Sequence, residues 1–122
     1  MKMKGFNMFS IKHLFKKKKS SPKRMYVIVR GDLSTEYRMV QGAHALAQVA
    51  INNPVDFEKW GNEYLIFLKV WNYNSIVSLF YKLLSEGYAI TKFNEPDLNG
   101  QMTAIALYTE VDNPLIKNLP LA

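Results

Sequence analysis

The residue best suited to do chemistry in this sequence is His44, because an imidazole can accept and release a proton near neutral pH. It stands in the segment MVQGAHALAQ, three residues after Gln41. At about 100° per helical residue, Gln41, His44 and Gln48 fall within about 60° of one another. An apolar stripe runs beside them: Val40, Ala43, Ala47 and Ala50. The pattern places a candidate general base beside an amide, although a histidine at the boundary of a core would show the same pattern.

The composition excludes several other chemistries. The chain has 122 residues, 0 Cys and 2 His. Without cysteine there is no disulfide, thiolate nucleophile or iron–sulfur cluster, and two histidines make a histidine-rich metal cage a poor hypothesis. No G-x-S-x-G segment occurs, which disfavours a serine nucleophile. We therefore expect no metal site and a single domain of ordinary size.

The positive charge of the chain is concentrated at its start. The formal net charge is +6, but residues 1–24 carry nine of the sixteen basic residues and no acidic ones. Residues 25–122 carry seven basic and ten acidic residues, a net charge of −3. We expect residues 1–24 to be a disordered basic leader, with an over-extended start before Met25 or a basic arm for phosphate backbones as the alternatives. Residues 25–122 are the expected domain.

The elements that must position His44 follow from hydrophobic patterning. Strands are predicted at residues 26–29, 64–68, 89–93 and 103–108, and helices from Ser34 or Thr35 to about Ile51 and from Asn74 or Ser75 to Glu86. A short helical turn is predicted at residues 56–60, and Trp60 is expected in the core, with stacking on unpaired bases as its alternative role. The order strand, helix, strand, helix, strand, strand predicts an α/β fold: a single domain with a four-stranded mixed sheet and helices packed on it. The polar loop 94–102 is the expected functional loop.

Two separate stretches of the sequence resemble the type-two peptidyl-tRNA hydrolases. The first reads YVIVRGDL from Tyr26 and VQGAHA from Val40, matching a strand that ends in R-x-D-L before a helix with A-Q-x-x-H-A. The second reads FNEPDL from Phe93 and TAIAL from Thr103. Together with Leu119-Pro120-Leu121 they are most similar to a bacterial and phage branch that has E-P-D in this loop. The resemblance covers residues 25–121.

The resemblance implies an activity, hydrolysis of the ester joining a peptide to the 3′ ribose of tRNA. It implies water as the nucleophile, no cofactor and no metal, a cytoplasmic location, no membrane association, and the tRNA acceptor end as partner, with monomer or homodimer left open. His44 would be the general base and Gln41 would hold the water or the ester carbonyl. The acids that could orient the imidazole are Asp32, Glu95 and Asp97. The implied substrate contacts are Arg30, Arg38, Tyr37 and Thr103.

One departure from the family pattern bears on activity. The family carries a lysine four residues before the glutamine, and Tyr37 stands at that position here. A non-catalytic relative that binds tRNA ends or another partner is therefore the alternative function. A small-molecule or protein-binding module without an RNA role is a third.

Overall fold

The computed structural model describes Lys2–Lys4 and residues 21–122. The strands are β1 (Lys2–Lys4), β2 (Arg24–Arg30), β3 (Tyr64–Val70), β4 (Thr91–Glu95) and β5 (Gln101–Thr109). The helices are α1 (Thr35–Asn52), α2 (Pro54–Trp60), α3 (Tyr73–Ser85) and α4 (Pro114–Lys117), with a 3₁₀ turn at Pro96–Leu98. No described helix combines the length and apolar character needed to cross a lipid bilayer.

The strands form one mixed sheet in the order β1-β3-β2-β5-β4. β2 is parallel to β3, whereas β5 is antiparallel to both of its neighbours, β2 and β4. The predicted α/β class, with a single domain and helices packed on a mixed sheet, is confirmed. The order of elements differs slightly from the predicted one, because β1 adds a fifth strand before β2 and α2 is a helix of its own. Because β2 and β4 both run antiparallel to β5, the carboxyl ends of β2, β3 and β4 lie at the same edge of the sheet.

The two faces of the sheet carry separate cores. On one face, α1 and α2 cover the small residues Ala104 and Ala106 of β5, and Trp60 is buried there with its indole N–H donating to the carbonyl of Tyr64 at 2.7 Å. On the other face, α3 packs a fully apolar stripe on the sheet: Ile76, Leu79, Phe80 and Leu83. The crossover from β2 to β3 therefore uses one face, and the crossover from β3 to β4 uses the other.

The outer edge of β3 is covered by both ends of the chain. Lys2–Lys4 pairs antiparallel with residues 64–66 of β3. Further along β3, residues near the C-terminus take over. The N–H of Lys69 donates to the carbonyl of Pro120 at 3.0 Å, and the carbonyl of Phe67 accepts the N–H of Ala122 at 3.1 Å. Within the segment expected to be a disordered leader, Lys2–Lys4 thus form a strand, and Arg24 is the first residue of β2. Residue 1 and residues 5–20 lie outside the described residues.

The start of α3, the position of β4 and the inward face of α1 differ from the predictions, and β2, β3 and β5 are each two or three residues longer than predicted. Asn72 caps α3, since its side-chain oxygen accepts the backbone N–H of Ser75 at 3.0 Å, so the helix begins earlier than expected. β4 lies two residues later than expected and ends at Glu95, which shortens the loop before β5 to Pro96–Gly100. On α1, the residues that are buried are Gln41, Gly42, Ala45 and Val49. The stripe of Val40, Ala43 and Ala47 is exposed instead, because α1 packs through its small residues and an amide.

Gly42 is where α1 approaches the sheet most closely. A Cβ atom at this position would overlap the ring of Phe67 and lie 3.1 Å from Cγ1 of Val27. Glycine costs about 1 kcal/mol relative to alanine in a helix interior. The close contact between α1 and the sheet compensates for that cost.

We therefore expect Gly42→Val to lower the free energy of unfolding by about 2–3 kcal/mol, because the added carbons overpack the core. Ala43→Val is the matched control, since Ala43 is the exposed neighbour and should lose only about 0.5 kcal/mol of helix propensity. Urea unfolding of both variants measures the difference. Equal stabilities would contradict the close packing at Gly42.

Candidate functional site

The candidate site lies at the sheet edge where β2, β3 and β4 end. β5 begins at the same edge, and α1 and α3 start there on opposite faces. In open α/β sheets, ligands bind outside the carboxyl ends of strands, where connections leave toward opposite faces. The edge contains most of the side chains singled out from the sequence.

A buried chain of polar side chains connects α1 to β4 and β5. Gln41 is 0 % exposed, and its Nε2 donates to Oε1 of Glu95 at 2.9 Å. The hydroxyl of Thr103, also 0 % exposed, donates a short hydrogen bond to Oε1 of Gln41. Both polar atoms of the amide are thus occupied by protein. Gln41 fixes the position of Glu95 relative to the helix.

A β-bulge turns Thr103 toward this helix. Phe93 of β4 pairs with Ala104 of β5, but the next residue, Asn94, pairs with Met102. Thr103 is therefore the extra residue on β5, without a partner on β4. Such a bulge places two consecutive side chains on the same face of a sheet. As a result, Thr103 reaches Gln41 on the face that also buries Ala104.

Glu95 is an anchored carboxylate that is 9 % exposed. Its Oε1 also accepts the hydroxyl of Tyr37 at 3.4 Å, and its Oε2 accepts the backbone N–H of Asp97 at 3.5 Å. The hydrogen bond from Gln41 is the main reason that the pKa of Glu95 lies below its usual value, and the bonds from Asp97 and Tyr37 lower it further. Glu95 is therefore ionised at neutral pH.

Tyr37 occupies the position where the resembled family has lysine. Partial burial and the negative charges of Glu95 and Asp97 raise the pKa of the Tyr37 phenol. The hydroxyl consequently stays protonated and donates to Glu95. Tyr37 therefore contributes a neutral donor to this carboxylate.

His44 lies one turn after Gln41, at the solvent-exposed mouth of this cluster. Its ring stacks on Phe93 with the centroids 4.4 Å apart and the planes 8° apart. The imidazole is exposed. A positive charge on His44 lowers the pKa of Glu95 slightly further. The site thus presents an accessible proton acceptor, supported by an aromatic face and near a fixed anion.

Arg30 forms a second cluster at the same edge. Its Nη2 and Nε donate to the two oxygens of Asp32 at 2.8 and 3.1 Å, and its Nη1 donates to Oε1 of Gln101 at 2.9 Å. The guanidinium also lies 5.4 Å from the ring centroid of Tyr73. The hydrogen bonds from Arg30 lower the pKa of Asp32. Since Gln101 pairs with Glu95 across the two strands, the clusters adjoin.

The structure revises the expected roles of several residues. Gln41 and Thr103 are fully buried and bonded to each other, so neither is placed to contact a substrate. Asp32 forms an ion pair with Arg30, and the backbone N–H of Asp97 donates to Glu95. Of the three acids, Glu95 is therefore the one left as a partner for the imidazole. The guanidinium of Arg38 donates to the Thr35 hydroxyl at 3.0 Å and lies on the helix surface.

Sequence reasoning did not select Phe93 and Gln101 as site residues. Phe93 looked like an ordinary strand residue, and its stacking on His44 depends on where β4 passes α1. Gln101 fell in the predicted loop, where a polar residue attracts no notice. The one signal in the sequence was an apolar Phe93 between the polar residues Lys92 and Asn94, just before Glu95. Among the described residues, no group of three or more His, Asp or Glu side chains is arranged to hold a metal ion.

Comparison with known proteins supports the fold and leaves the function open. No family model matches the sequence, and no curated protein matches it. The structure is similar to that of a protein of unknown function from Agrobacterium tumefaciens strain C58, with a TM-score of 0.62 and 10% sequence identity. The match covers 83% of this chain and 98% of the other. At this identity the likeness shows a shared fold.

Because Glu95 is held by hydrogen bonds, the free energy of unfolding should depend on pH through this carboxylate. Because its folded pKa is lowered, the carboxylate stabilises the fold above its unfolded pKa of about 4.3, and this contribution is lost as the pH falls through the lower folded value. Glu95→Gln should therefore be less stable than the unmodified protein at pH 7, and the gap should close toward pH 3. Urea unfolding at both pH values measures it. The lowered pKa of Asp32 also makes stability depend on pH, but it does so equally in both proteins and cancels in the difference. A difference in unfolding free energy that does not change with pH would contradict the prediction.

Proposed function

We propose that this protein hydrolyses the ester bond of peptidyl-tRNA, releasing tRNA and peptide, with His44 as the general base. One observation carries the proposal: the exposed His44 ring stacks on Phe93, one helical turn after Gln41, whose amide anchors the ionised Glu95. A general base needs both access to water and a fixed orientation. The resemblance of the sequence to type-two peptidyl-tRNA hydrolases supplies the substrate.

The proposed reaction needs only water as a second reactant. His44 takes a proton from water as the water oxygen attacks the ester carbonyl. The C–O bond to the 3′ ribose oxygen then breaks, and the imidazolium returns its proton to that oxygen. The negative charge of Glu95 stabilises the imidazolium formed between these steps. The face of Phe93 adds a cation–π attraction to the same charged ring.

The remaining polar residues have positioning roles in this proposal. Gln41 and Thr103 keep Glu95 in place without touching the substrate. For the RNA, Arg38 is the cation on the helix surface near the edge, where its guanidinium donates to the Thr35 hydroxyl. Arg30 is 7 % exposed and bonded to Asp32 and Gln101, so its part in the proposal is to hold the edge together. The proposed setting is the cytoplasm, without cofactor or metal.

A second candidate function follows from Tyr37. The neutral hydroxyl near Glu95 replaces a cation, so the site has fewer groups to stabilise a developing oxyanion. A relative that binds the tRNA end without hydrolysing it would fit this difference. Binding of peptidyl-tRNA with no turnover would favour this candidate, whereas release of the peptide over many cycles would exclude it.

We expect His44→Ala to lower kcat for the hydrolysis of N-acetylated aminoacyl-tRNA by about 10²–10⁴-fold, because the general base is lost. The side chain is exposed, so the melting temperature should change little. Release of labelled acyl group from purified protein measures the rate, with unblocked aminoacyl-tRNA assayed in parallel.

Gln48→Ala serves as the matched control for that variant. Gln48 lies one turn further along α1 and bonds only to Asn52 on the same helix, at 3.0 Å. It should retain full activity. If His44→Ala were equally active, the assignment of the base would be wrong.

A further inference from the structure

Trp71 is the most exposed large hydrophobic side chain among the described residues. It is 84 % exposed, whereas the second tryptophan, Trp60, is 3 % exposed. It directly follows β3 and precedes Asn72, the cap of α3. Leaving an indole in water forgoes a large burial energy, since tryptophan can bury about 150–250 Å². Its position at the same edge as the candidate site makes it a surface for a ligand.

Trp71 forms one wall of a groove of about 720 Å³. This volume lies in the range of about 300–1,000 Å³ found for small-ligand sites. The groove is also lined by Gly31, which follows β2, and by Leu119 and Pro120. Gly31 lies against the backbone of β3: its N–H donates to the carbonyl of Val70 at 2.7 Å, and a Cβ there would meet that oxygen.

The charged side chains of the groove favour an anion. Lys69 and Asp32 both line it. The carboxylate of Asp32 is held by two hydrogen bonds from Arg30, so these two charges compensate each other. No described residue forms a salt bridge with Lys69, and its ammonium supplies the net charge of the groove. A flat π surface beside a cation is the combination that binds unpaired nucleotides.

The groove adjoins the proposed catalytic site. Asp32 belongs to the groove, Arg30 links it to Gln101, and Gln101 pairs with Glu95. A strand of nucleic acid entering along this edge would therefore pass from Trp71 toward His44. The overall charge of −3 on residues 25–122 makes a broad electrostatic footprint on RNA unfavourable, so a local contact of this kind is what the charge distribution allows.

We propose that this groove holds an unpaired nucleotide of the tRNA acceptor end, with its base stacked on Trp71 and its phosphate beside Lys69. The proposal rests on the proposed function for the identity of its ligand. In it, Trp71 binds substrate and takes no part in bond breaking. Stacking acts equally on the ground state and the transition state, so it lowers KM and leaves kcat unchanged.

The kinetic test compares three variants on N-acetylated aminoacyl-tRNA. Trp71→Ala should raise KM by about 5- to 100-fold with kcat unchanged, as expected for the loss of one stacked base. Trp71→Phe should recover part of the loss. Tyr81→Ala removes an aromatic ring that is 55 % exposed on α3, outside the groove, and should leave KM unchanged. Equal KM values for Trp71→Ala and the unmodified protein would overturn the proposal.

A binding test separates this proposal from the proposed function. The probe is the single-stranded RNA trinucleotide CCA, and the readout is tryptophan fluorescence. Quenching should occur in the full chain and disappear in Trp71→Phe, where the buried Trp60 is the remaining tryptophan. The logarithm of the association constant falls as the logarithm of the salt concentration rises. Lys69→Ala should make this slope less negative by about 0.7, as expected for the loss of one phosphate contact on a single strand.

The two tests fail in different ways. Quenching through Trp71 without any hydrolysis would support the nucleotide groove and overturn the proposed function. Hydrolysis that depends on His44, with no quenching and no change of KM in Trp71→Ala, would support the proposed function and overturn the groove. Quenching that persists in Trp71→Phe would also overturn the groove.

Discussion

The hydrogen bonds that run from Thr103 through Gln41 to Glu95 are the interaction on which the site depends. They join a bulged strand, a helix and the end of a neighbouring strand, and Gln41 and Thr103 are fully buried. A buried amide is costly unless both its donor and its acceptor are satisfied. Because the two partners come from different strands, α1 can satisfy its amide in only one position. The position of His44, one turn later, is set by the same contact.

The close packing of α1 has the same effect at a larger scale. Gly42 removes the side chain where the helix crosses Phe67, and the alanines of β5 provide a shallow surface beneath it. The helix is therefore near enough to the sheet for Gln41 to reach Glu95. Its outer face, with Val40 and His44, remains in solvent. The small residues thus control how the catalytic candidate is presented.

Sequence patterning was sufficient for the fold class because the strands are strongly apolar and alternate with helical segments. Ser34 caps α1 as expected, and its oxygen accepts the N–H of Tyr37. The inward face of α1 was not predictable in the same way. Hydrophobicity favours Val40 as a buried residue, whereas the amide of Gln41 is buried because of partners more than fifty residues away in sequence.

The candidate site shows the same division between local and distant information. His44 and Glu95 could be selected from residue type and resemblance. The pairing of Asp32 with Arg30 and the stacking of Phe93 on His44 depend on strand register and on the bulge at Thr103. A bulge that contains no glycine leaves no mark in the local sequence. The sequence alone therefore did not show which of Asp32, Glu95 and Asp97 would be the partner of His44.

The covering of β3 by Pro120–Ala122 has a consequence for handling the protein. An uncovered strand edge recruits other chains through its free backbone groups and promotes aggregation. Here the protecting segment is short, lies beside Lys69 and is held by two backbone hydrogen bonds. Removing these last residues would expose the backbone groups of this part of β3. We expect such a truncation to reduce solubility before it affects folding.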